Sequence, residues 1–188
     1  MKGLVICQQL MPAWMAGNKS VTRRLMNPQP GENAYIWSEE KNGINFANPA
    51  SFSRFRYQSG ESVYIKETWH CDDPAAAQDV MSRGEGLFYK AGMAEQEASM
   101  FKWKSPRFMP EWAARSHALI VSVRPGRVRE ITEEEAKAEG VEPDRSKVNG
   151  MPPVIYSHRD SFRRLWESLH PGSWERNDFI WRIELEKK

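Results

Sequence analysis

The most constraining feature of this sequence is an alternation of side chains near its C-terminus, from Phe179 to Glu186. Every second residue there is large and apolar, and three of the four residues between them are charged. Because successive side chains of a β-strand point to opposite faces of a sheet, the pattern predicts a strand with one buried face. Ser62–Trp69 and His117–Val123 are predicted as further strands from their β-branched and aromatic content. The apolar members of the C-terminal pattern are Phe179, Trp181, Ile183 and Leu185.

Long helices are rarer than strands. The best helical pattern covers about His158–Leu169, where apolar residues recur at i, i+3, i+4 and i+7. Shorter helices are predicted at Gln8–Ala16, within Cys71–Gly86, and after Thr132, where Glu135 completes a capping box. The balance predicts an α+β fold, in which a small, mixed and largely antiparallel sheet closes into a β-barrel flanked by short helices.

The length of the chain fits one domain. Its 188 residues, 40% of them apolar, are enough for a single hydrophobic core, so we predict one domain over residues 1–188. Two stretches, near residues 27–57 and 141–156, are predicted as loop insertions. The first is rich in Pro, Gly, Asn and Ser, which is typical of irregular structure.

The charge balance excludes one class of function. A formal net charge of +2 is too small for a protein whose main role is to coat DNA without sequence preference. A local basic pocket is compatible with this charge.

Other classes are excluded by missing patterns. Cys7 and Cys71 match no zinc-binding spacing and are predicted to be reduced thiols. Met1–Leu10 has no signal-peptide pattern, and no stretch of about 18 apolar residues occurs. We therefore expect a cytoplasmic protein without a membrane partner, a bound metal or another cofactor, and the sequence leaves the oligomeric state open. The histidines, which show no ligand spacing, are His70, His117, His158 and His170.

Three places contain residues that local helix and strand preferences disfavour. One of them comes directly after the predicted N-terminal helix. Gly17 is predicted to end that helix, and Lys19, Thr22 and Arg24 follow within seven residues. Thr22 and Arg24 share one face of the predicted strand. An ordinary solvated strand edge explains the same residues.

The second is Glu67, whose position in the alternation of Ser62–Trp69 places a carboxylate on the apolar face. A buried carboxylate needs a cation, hydrogen bonds or a proton. The Glu67 carboxylate is either a functional group or part of a structural ion pair with Arg24 or Arg115, and the sequence leaves both alternatives open.

The third is Glu139, in the last turn of the helix that starts after Thr132. Helix C-termini favour cations, so a carboxylate there is unfavourable locally and suits a proton-transferring role. An exposed glutamate without a role is the alternative. Trp103, Trp112 and Trp174 are candidates for stacking on a base, or for packing in the core.

Together these segments resemble a known family. Gly17-x-Lys19-x-x-Thr22-x-Arg24 resembles the signature of ASCH domains, which are relatives of the PUA RNA-binding fold. Gly60-Glu61-Ser62-Val63-Tyr64-Ile65-Lys66-Glu67-Thr68-Trp69 is similar to a strand of the longer phage and prophage members, where Glu61 replaces their Asp and Lys66 their Arg. Further similar stretches are Met109–Arg115, Ile131–Gly140 and Leu165–Glu184.

This resemblance implies a PUA-like barrel with a cleft lined by the Gly-x-Lys motif. A small bacterial branch of the family consists of amidohydrolases that act on N4-acetylcytidine. By motif, its catalytic set falls on Lys19, Thr22 and Glu139. The present chain is longer than those enzymes, and Phe55–Gln58 stands where many long relatives have a Cys-Pro-Tyr-Gly-like stretch.

Two hypotheses follow. In the first, the chain is a metal-independent amidohydrolase in which Thr22 attacks an N-acyl group, Lys19 is the base and Glu139 moves a proton. In the second, the chain is a non-catalytic module that binds a nucleoside or single-stranded, modified RNA. The residues predicted to bind the ligand are Gly17, Arg24, Glu67, Trp69, Trp112 and Arg115.

Overall fold

The computed structural model describes residues 1–31, 33–40, 43–47, 51–72, 86–146 and 154–188. It shows an α+β protein with mostly antiparallel sheets and a few short helices, as predicted. These residues form two compact units that interleave along the chain. The first unit contains Met1–Gly17, Ser62–Leu119 and Glu186–Lys188, and the second contains Asn18–Glu61 and Ile120–Leu185.

Two groups of paired strands organise the first unit. Strand β1 (Lys2–Val5) runs parallel to β6 (Ser62–Lys66), and β6 pairs antiparallel with the first residues of β9 (His117–Arg127). Strands β7 (Trp69–Cys71) and β8 (Leu87–Tyr89) form a separate antiparallel pair. The helices of this unit are α1 (Met11–Met15), α2 (Glu95–Ala98) and 3-10 turns at Gln8–Leu10, Pro106–Phe108 and Glu111–Ala113.

The predicted strand Ser62–Trp69 is shorter than expected. It ends at Lys66, and the chain resumes as β7 at Trp69. The backbone N–H of Glu67 donates to the Sδ atom of Met109 at 3.3 Å instead of to a neighbouring strand. The ladder is therefore interrupted at the residue whose carboxylate is buried.

The second unit is built on the predicted C-terminal strand. Strand β12 (Phe179–Lys187) pairs antiparallel with β2 (Val21–Leu25) and lies beside β9. The apolar residues at 179, 181, 183 and 185 are all buried, as the alternation predicts. The helices are α3 (Glu133–Ala138), α4 (His158–Leu169) and α5 (Ser173–Arg176). Among the described residues no pairing closes these strands into a barrel.

Residues 27–57 contain a sheet, so their prediction as a loop with little regular structure is wrong. Strands β3 (Tyr35–Glu40), β4 (Gly43–Ala47) and β5 (Ser51–Arg54) form an antiparallel meander. Ile44 and Phe46 are buried in a cluster with Phe179 and Trp181 of β12. This long-range contact stabilises strands whose polar and glycine-rich sequence indicated a loop.

The other predicted insertion and one predicted helix lie partly outside the described residues. Within 141–156 the structure shows β10 (Arg145–Ser146) and β11 (Val154–Ile155), paired antiparallel. The helix predicted within Cys71–Gly86 falls on 73–85, outside the described part of the chain.

No helix among the described residues is both long enough and apolar enough to span a bilayer.

Candidate functional site

The turn that carries Lys19 is held by backbone hydrogen bonds within the second unit. Gly17 ends the first helix with a φ of 79°, a left-handed conformation that favours glycine. The Ser20 N–H then donates to the Ala138 carbonyl at 2.9 Å, and the Ser20 carbonyl accepts from Leu185 at 2.7 Å. Lys19 is thereby fixed next to the end of α3.

Lys19 is buried, with 3% of its surface exposed. Its ammonium group donates to the Val21 carbonyl at 2.6 Å, to the Glu139 carbonyl at 2.9 Å and to Glu139 Oε2 at 2.8 Å. A lysine ammonium has three protons, so each of them has an acceptor.

Glu139 is equally buried and follows the last residue of α3. It accepts from Lys19 through Oε2 and from Arg23 Nη1 through Oε1, the latter at 3.1 Å. Two cations therefore compensate a carboxylate at the negative end of the helix dipole.

The ion pairs continue across the sheet. Arg23 on β2 and Arg182 on β12 lie opposite each other in register, and Glu135 separates these like charges. Arg23 Nη2 donates to Glu135 Oε2 at 2.5 Å, and Arg182 Nε lies 2.8 Å from Glu135 Oε1. We call Lys19, Arg23, Glu135, Glu139 and Arg182 the charge network.

Glu184 extends the charge network towards β9. It accepts from the Ser122 hydroxyl at 2.7 Å and from Arg182. Both hydrogen bonds lower the pKa of the Glu184 carboxyl below its ordinary value, and the one from Ser122 has the larger effect.

Thr22 is placed differently from Lys19 and Glu139. It is buried opposite Ile183 in the β2–β12 register, and strand alternation puts it on the other face of β2 from Arg23. Among the described residues, its hydroxyl makes no hydrogen bond to Lys19 or Glu139. Arg24, on the same face as Thr22, lies opposite Trp181. Two of the three predicted catalytic residues are thus in direct contact.

A second cluster lies in the first unit. Glu67 is 1% exposed and pairs with Arg115, as predicted, through Nε to Oε1 and Nη2 to Oε2, both at 2.8 Å. Arg115 Nη2 also donates to the Ala91 carbonyl at 3.1 Å, and its guanidinium lies 4.2 Å from the centre of the Tyr89 ring. The bidentate pair fixes the plane of the guanidinium.

Tyr89 connects this ion pair to the rest of the cluster. Its hydroxyl donates to the Ala113 carbonyl at 2.8 Å. Burial, together with the nearby Glu67 carboxylate, raises the pKa of Tyr89 to about 12, and the Arg115 guanidinium opposes this shift. The phenol is therefore neutral over the physiological range.

Trp69 lies opposite Tyr89 in the β7–β8 register and is 3% exposed. Its ring contacts Trp112 edge-on at 5.9 Å, and the Lys104 ammonium lies 4.8 Å from its centre. Its Nε1 atom is buried and has no hydrogen-bond acceptor among the described residues. We call Glu67, Trp69, Tyr89, Trp112 and Arg115 the Trp69 cluster.

Several of these residues were not selected from the sequence. Arg23 shares one face of β2 with the apolar residues Val21 and Leu25. It is therefore a charged residue on an apolar face, which is the signal that identified Glu67. The same argument would have found it. Tyr89 and Lys104 gave no such signal, because their roles depend on contacts between distant segments.

No family model, curated protein or solved structure matches this chain. Among the described residues, no group of three or more His, Cys, Asp or Glu side chains is placed to hold a metal ion.

Proposed function

We propose that this chain is a nucleoside- or RNA-directed protein of the ASCH type, and that it binds a modified base through the Trp69 cluster. The observation that carries this proposal is the buried indole N–H of Trp69, which has no acceptor among the described residues. Leaving such a donor unpaired costs about 1–3 kcal/mol, so a ligand acceptor that reaches the N–H when the neighbouring side chains move aside would bind favourably.

The surroundings of Trp69 suit a planar ligand. Arg115 is oriented by Glu67, its side chain is 29% exposed, and it presents a flat cation beside the Tyr89 ring. Aromatic rings and arginine planes are the surfaces on which proteins stack single-stranded bases. A carbonyl oxygen on the base, including that of an N-acyl group, is the acceptor that an indole N–H requires.

A PUA-like barrel is part of the same proposal. The antiparallel pairing of β6 with β9 and the order β9-β12-β2 support it. The motif around Lys19 and the stretch Gly60–Trp69 supply its sequence basis.

Binding is favoured over hydrolysis by the geometry of the charge network. An ammonium group whose three protons all have acceptors has no lone pair with which to take a proton from a hydroxyl. Thr22 lies on the other face of β2 from the Arg23–Glu139 pair. We therefore assign the charge network a structural role in the described conformation.

The test is a binding titration of the whole protein, followed by tryptophan fluorescence and calorimetry. The ligands are cytidine, N4-acetylcytidine, uridine and short single-stranded RNAs that contain each base. Trp69→Phe keeps an aromatic ring but removes the N–H, so we expect affinity for the best ligand to fall about tenfold or more.

The matched control is Trp166→Phe. The Trp166 indole N–H already has an acceptor, Ser173 Oγ at 3.0 Å, so its loss should lower stability without changing affinity. Equal affinities of wild type and Trp69→Phe for every ligand, or no binding of any ligand, would refute the proposed base site.

Hydrolysis of an N-acyl group is the second candidate, and the Lys19–Glu139 contact of 2.8 Å favours it. Lys19 would first pass a proton to Glu139 and then accept the Thr22 proton. The Thr22 oxygen would form an ester with the acyl group as the C–N bond breaks, and the amine would leave with the proton that Glu139 received from Lys19. Water would then hydrolyse the ester, which releases the carboxylic acid and restores the Thr22 hydroxyl.

Cytidine release from N4-acetylcytidine tests this candidate. Wild-type turnover that falls by several orders of magnitude in both Thr22→Ala and Lys19→Ala would establish it. Absence of turnover in the wild type, or unchanged turnover in Thr22→Ala, would eliminate it and would leave the binding proposal unaffected.

A further inference from the structure

A cleft of about 510 Å³ lies in the first unit, outside the Trp69 cluster. Its volume is in the range of pockets that hold small organic ligands. Two of the side chains that line it carry opposite charges, and two others are aromatic. We call it the Phe101 cleft, and its lining includes Lys90, Met93, Glu95, Ser99, Phe101 and Trp103.

One wall of the Phe101 cleft is aromatic. The Phe101 ring lies 5.4 Å from that of Trp103 and 4.4 Å from that of Phe88, measured between ring centres. The Trp103 indole N–H donates to the Ala98 carbonyl at 2.7 Å, which fixes the Trp103 ring. Phe101 and Trp103 are both partly exposed, so a ligand in the cleft can reach this wall.

The β7–β8 pair separates this wall from the Trp69 cluster. Trp69 and Tyr89 are opposite each other in register, and so are His70 and Phe88. Neighbouring residues on a strand point to opposite faces, so Phe88, against which Phe101 packs, lies on the other face of the hairpin from Trp69. The Phe101 cleft is therefore a separate site.

The backbone that carries the two charged residues of the lining is well defined. Lys90 follows the last residue of β8, and its N–H donates to the Thr68 carbonyl at 3.0 Å. The Lys90 carbonyl accepts from the Met93 N–H at 3.3 Å, in the turn that leads to α2. Glu95 is the first residue of α2, and its carbonyl accepts from the Ser99 N–H at 3.1 Å. The fold therefore places one cation and one anion on the same cleft.

Lys90 and Glu95 are both exposed, and neither side chain forms an ion pair with another residue in the described part of the chain. Two opposite charges that line one cleft without meeting create an electric field from one to the other. A ligand with a single charge is attracted by one group and repelled by the other, whereas a zwitterion can be attracted at both ends. The lining therefore favours a ligand that carries both charges.

We propose that the Phe101 cleft binds a small zwitterion with an aromatic side chain, of which a free aromatic amino acid is the simplest case. The carboxylate of the ligand lies at Lys90, its ammonium group lies at Glu95, and its ring packs on the wall formed by Phe101 and Trp103. The proposal does not depend on the function assigned to the Trp69 cluster, because it uses other residues and another class of ligand.

The first test changes the ligand and leaves the protein intact. Calorimetry measures the affinity of the whole protein for phenylalanine, for phenylalaninamide, which has no carboxylate, and for N-acetylphenylalanine, which has no ammonium group. We expect each blocked ligand to bind about three- to fivefold more weakly than phenylalanine, because an exposed ion pair contributes modestly. Alanine keeps both charges but lacks the ring, so it should bind about tenfold more weakly.

Two outcomes of this first test would overturn the proposal. One is the absence of saturable phenylalanine binding to the wild-type protein. The other is equal affinity for phenylalanine and both of its blocked forms, since the charges of the ligand would then make no contribution.

The second test assigns each end of the ligand to one residue. Lys90→Met should weaken phenylalanine binding about three- to fivefold and should not weaken the binding of phenylalaninamide, which has no carboxylate. Glu95→Gln should weaken phenylalanine binding by a similar factor and should not weaken the binding of N-acetylphenylalanine, which has no ammonium group. Variants that weaken phenylalanine and the blocked ligands equally would contradict the proposed contacts.

Lys102→Met and Glu97→Gln are the matched controls. Both residues are exposed and lie outside the lining of the Phe101 cleft, so these variants make the same changes of charge beside it. Their affinities for phenylalanine should equal that of the wild type. An equal loss in the control variants would show that the general surface charge determines binding, and would overturn the proposal. Base binding is titrated separately on the same protein, so either site can fail without the other.

Discussion

At the scale of single residues, Glu139 and Glu67, the two most deeply buried carboxylates among the described residues, are compensated in different ways. Glu139 has two cationic partners, Lys19 and Arg23, whose side chains are 1% and 3% exposed. Glu67 has one among the described residues, Arg115, whose side chain is 29% exposed and reaches water. Removing one charge from each site should therefore have unequal effects.

Glu139→Gln should lower the free energy of unfolding by about 3–5 kcal/mol, because buried Lys19 would lose its carboxylate partner and Arg23 would keep only Glu135. Urea denaturation at neutral pH measures this change. Glu134→Gln is the control, since Glu134 lies on the same helix and is exposed. Equal stability of the two variants would show that Lys19 and Arg23 do not depend on Glu139.

Glu67→Gln should lower the melting temperature and also weaken ligand binding, because Arg115 would lose the partner that orients it. The loss of stability should be smaller than for Glu139→Gln, about 1–3 kcal/mol, since the remaining arginine is partly solvated. Calorimetry gives both quantities on one sample. If Glu67→Gln destabilises the protein but leaves its affinity for the ligand unchanged, the ion pair does not contribute to ligand binding.

The raised pKa of Tyr89 predicts that the stability of the protein falls at alkaline pH. Its pKa of about 12 in the folded protein exceeds that of an unfolded tyrosine, about 10. The contribution of Tyr89 to the free energy of unfolding is fully present below about pH 10. It is lost as the pH rises from about 10 to 12, because the tyrosine loses its proton first in the unfolded state. Tyr89→Phe should flatten this decline in unfolding free energy, whereas the exposed Tyr35→Phe should leave it unchanged.

At the scale of elements, the β3–β5 meander is the largest difference between prediction and structure. Its strands depend on Phe46, 2% exposed, which meets Phe179 edge-on at 4.9 Å. A contact between residues more than a hundred positions apart leaves no local pattern. The C-terminal strand and α4 were predicted well because their periodicity lies within one segment.

Phe46→Ala should lower the free energy of unfolding by about 3–5 kcal/mol if the meander is part of the core of the second unit. Tyr35→Ala, on β3 and 55% exposed, should cost less than about 0.5 kcal/mol. Chemical denaturation of both variants compares them directly. A small effect of Phe46→Ala would mean that the meander contributes little to that core.

The candidate site was predicted in the same uneven way. An inward-facing charge on a strand is visible in sequence, which is why Glu67 was identified, with Arg24 and Arg115 as its candidate partners; the structure has Arg115. The motif gave Lys19, Thr22 and Glu139, but the hydrogen bond between Lys19 and Glu139 depends on how α3 packs beside β2. Atoms without a partner in the described part of the chain, such as Trp69 Nε1, emerge only from packing.

At the scale of the whole molecule, the charge balance limits how RNA would be held. The chain has 27 basic and 25 acidic residues, and its buried cations are already paired. We expect contacts to about three phosphates or fewer, so the slope of log affinity against log salt concentration should stay below about 2 in magnitude. Titrations of one RNA at several salt concentrations measure it, and a slope near 5 would indicate an extended basic surface.

The saturation of the Lys19 amine has a consequence for chemical labelling. Acylating reagents and lysine-modifying enzymes require both access and a free amine lone pair, and Lys19 offers neither while its three acceptors are in place. Modification of this lysine would therefore proceed only from conformations in which the turn before β2 has come away from the end of α3. The rate at which Lys19 becomes labelled therefore reports how often this part of the second unit opens locally.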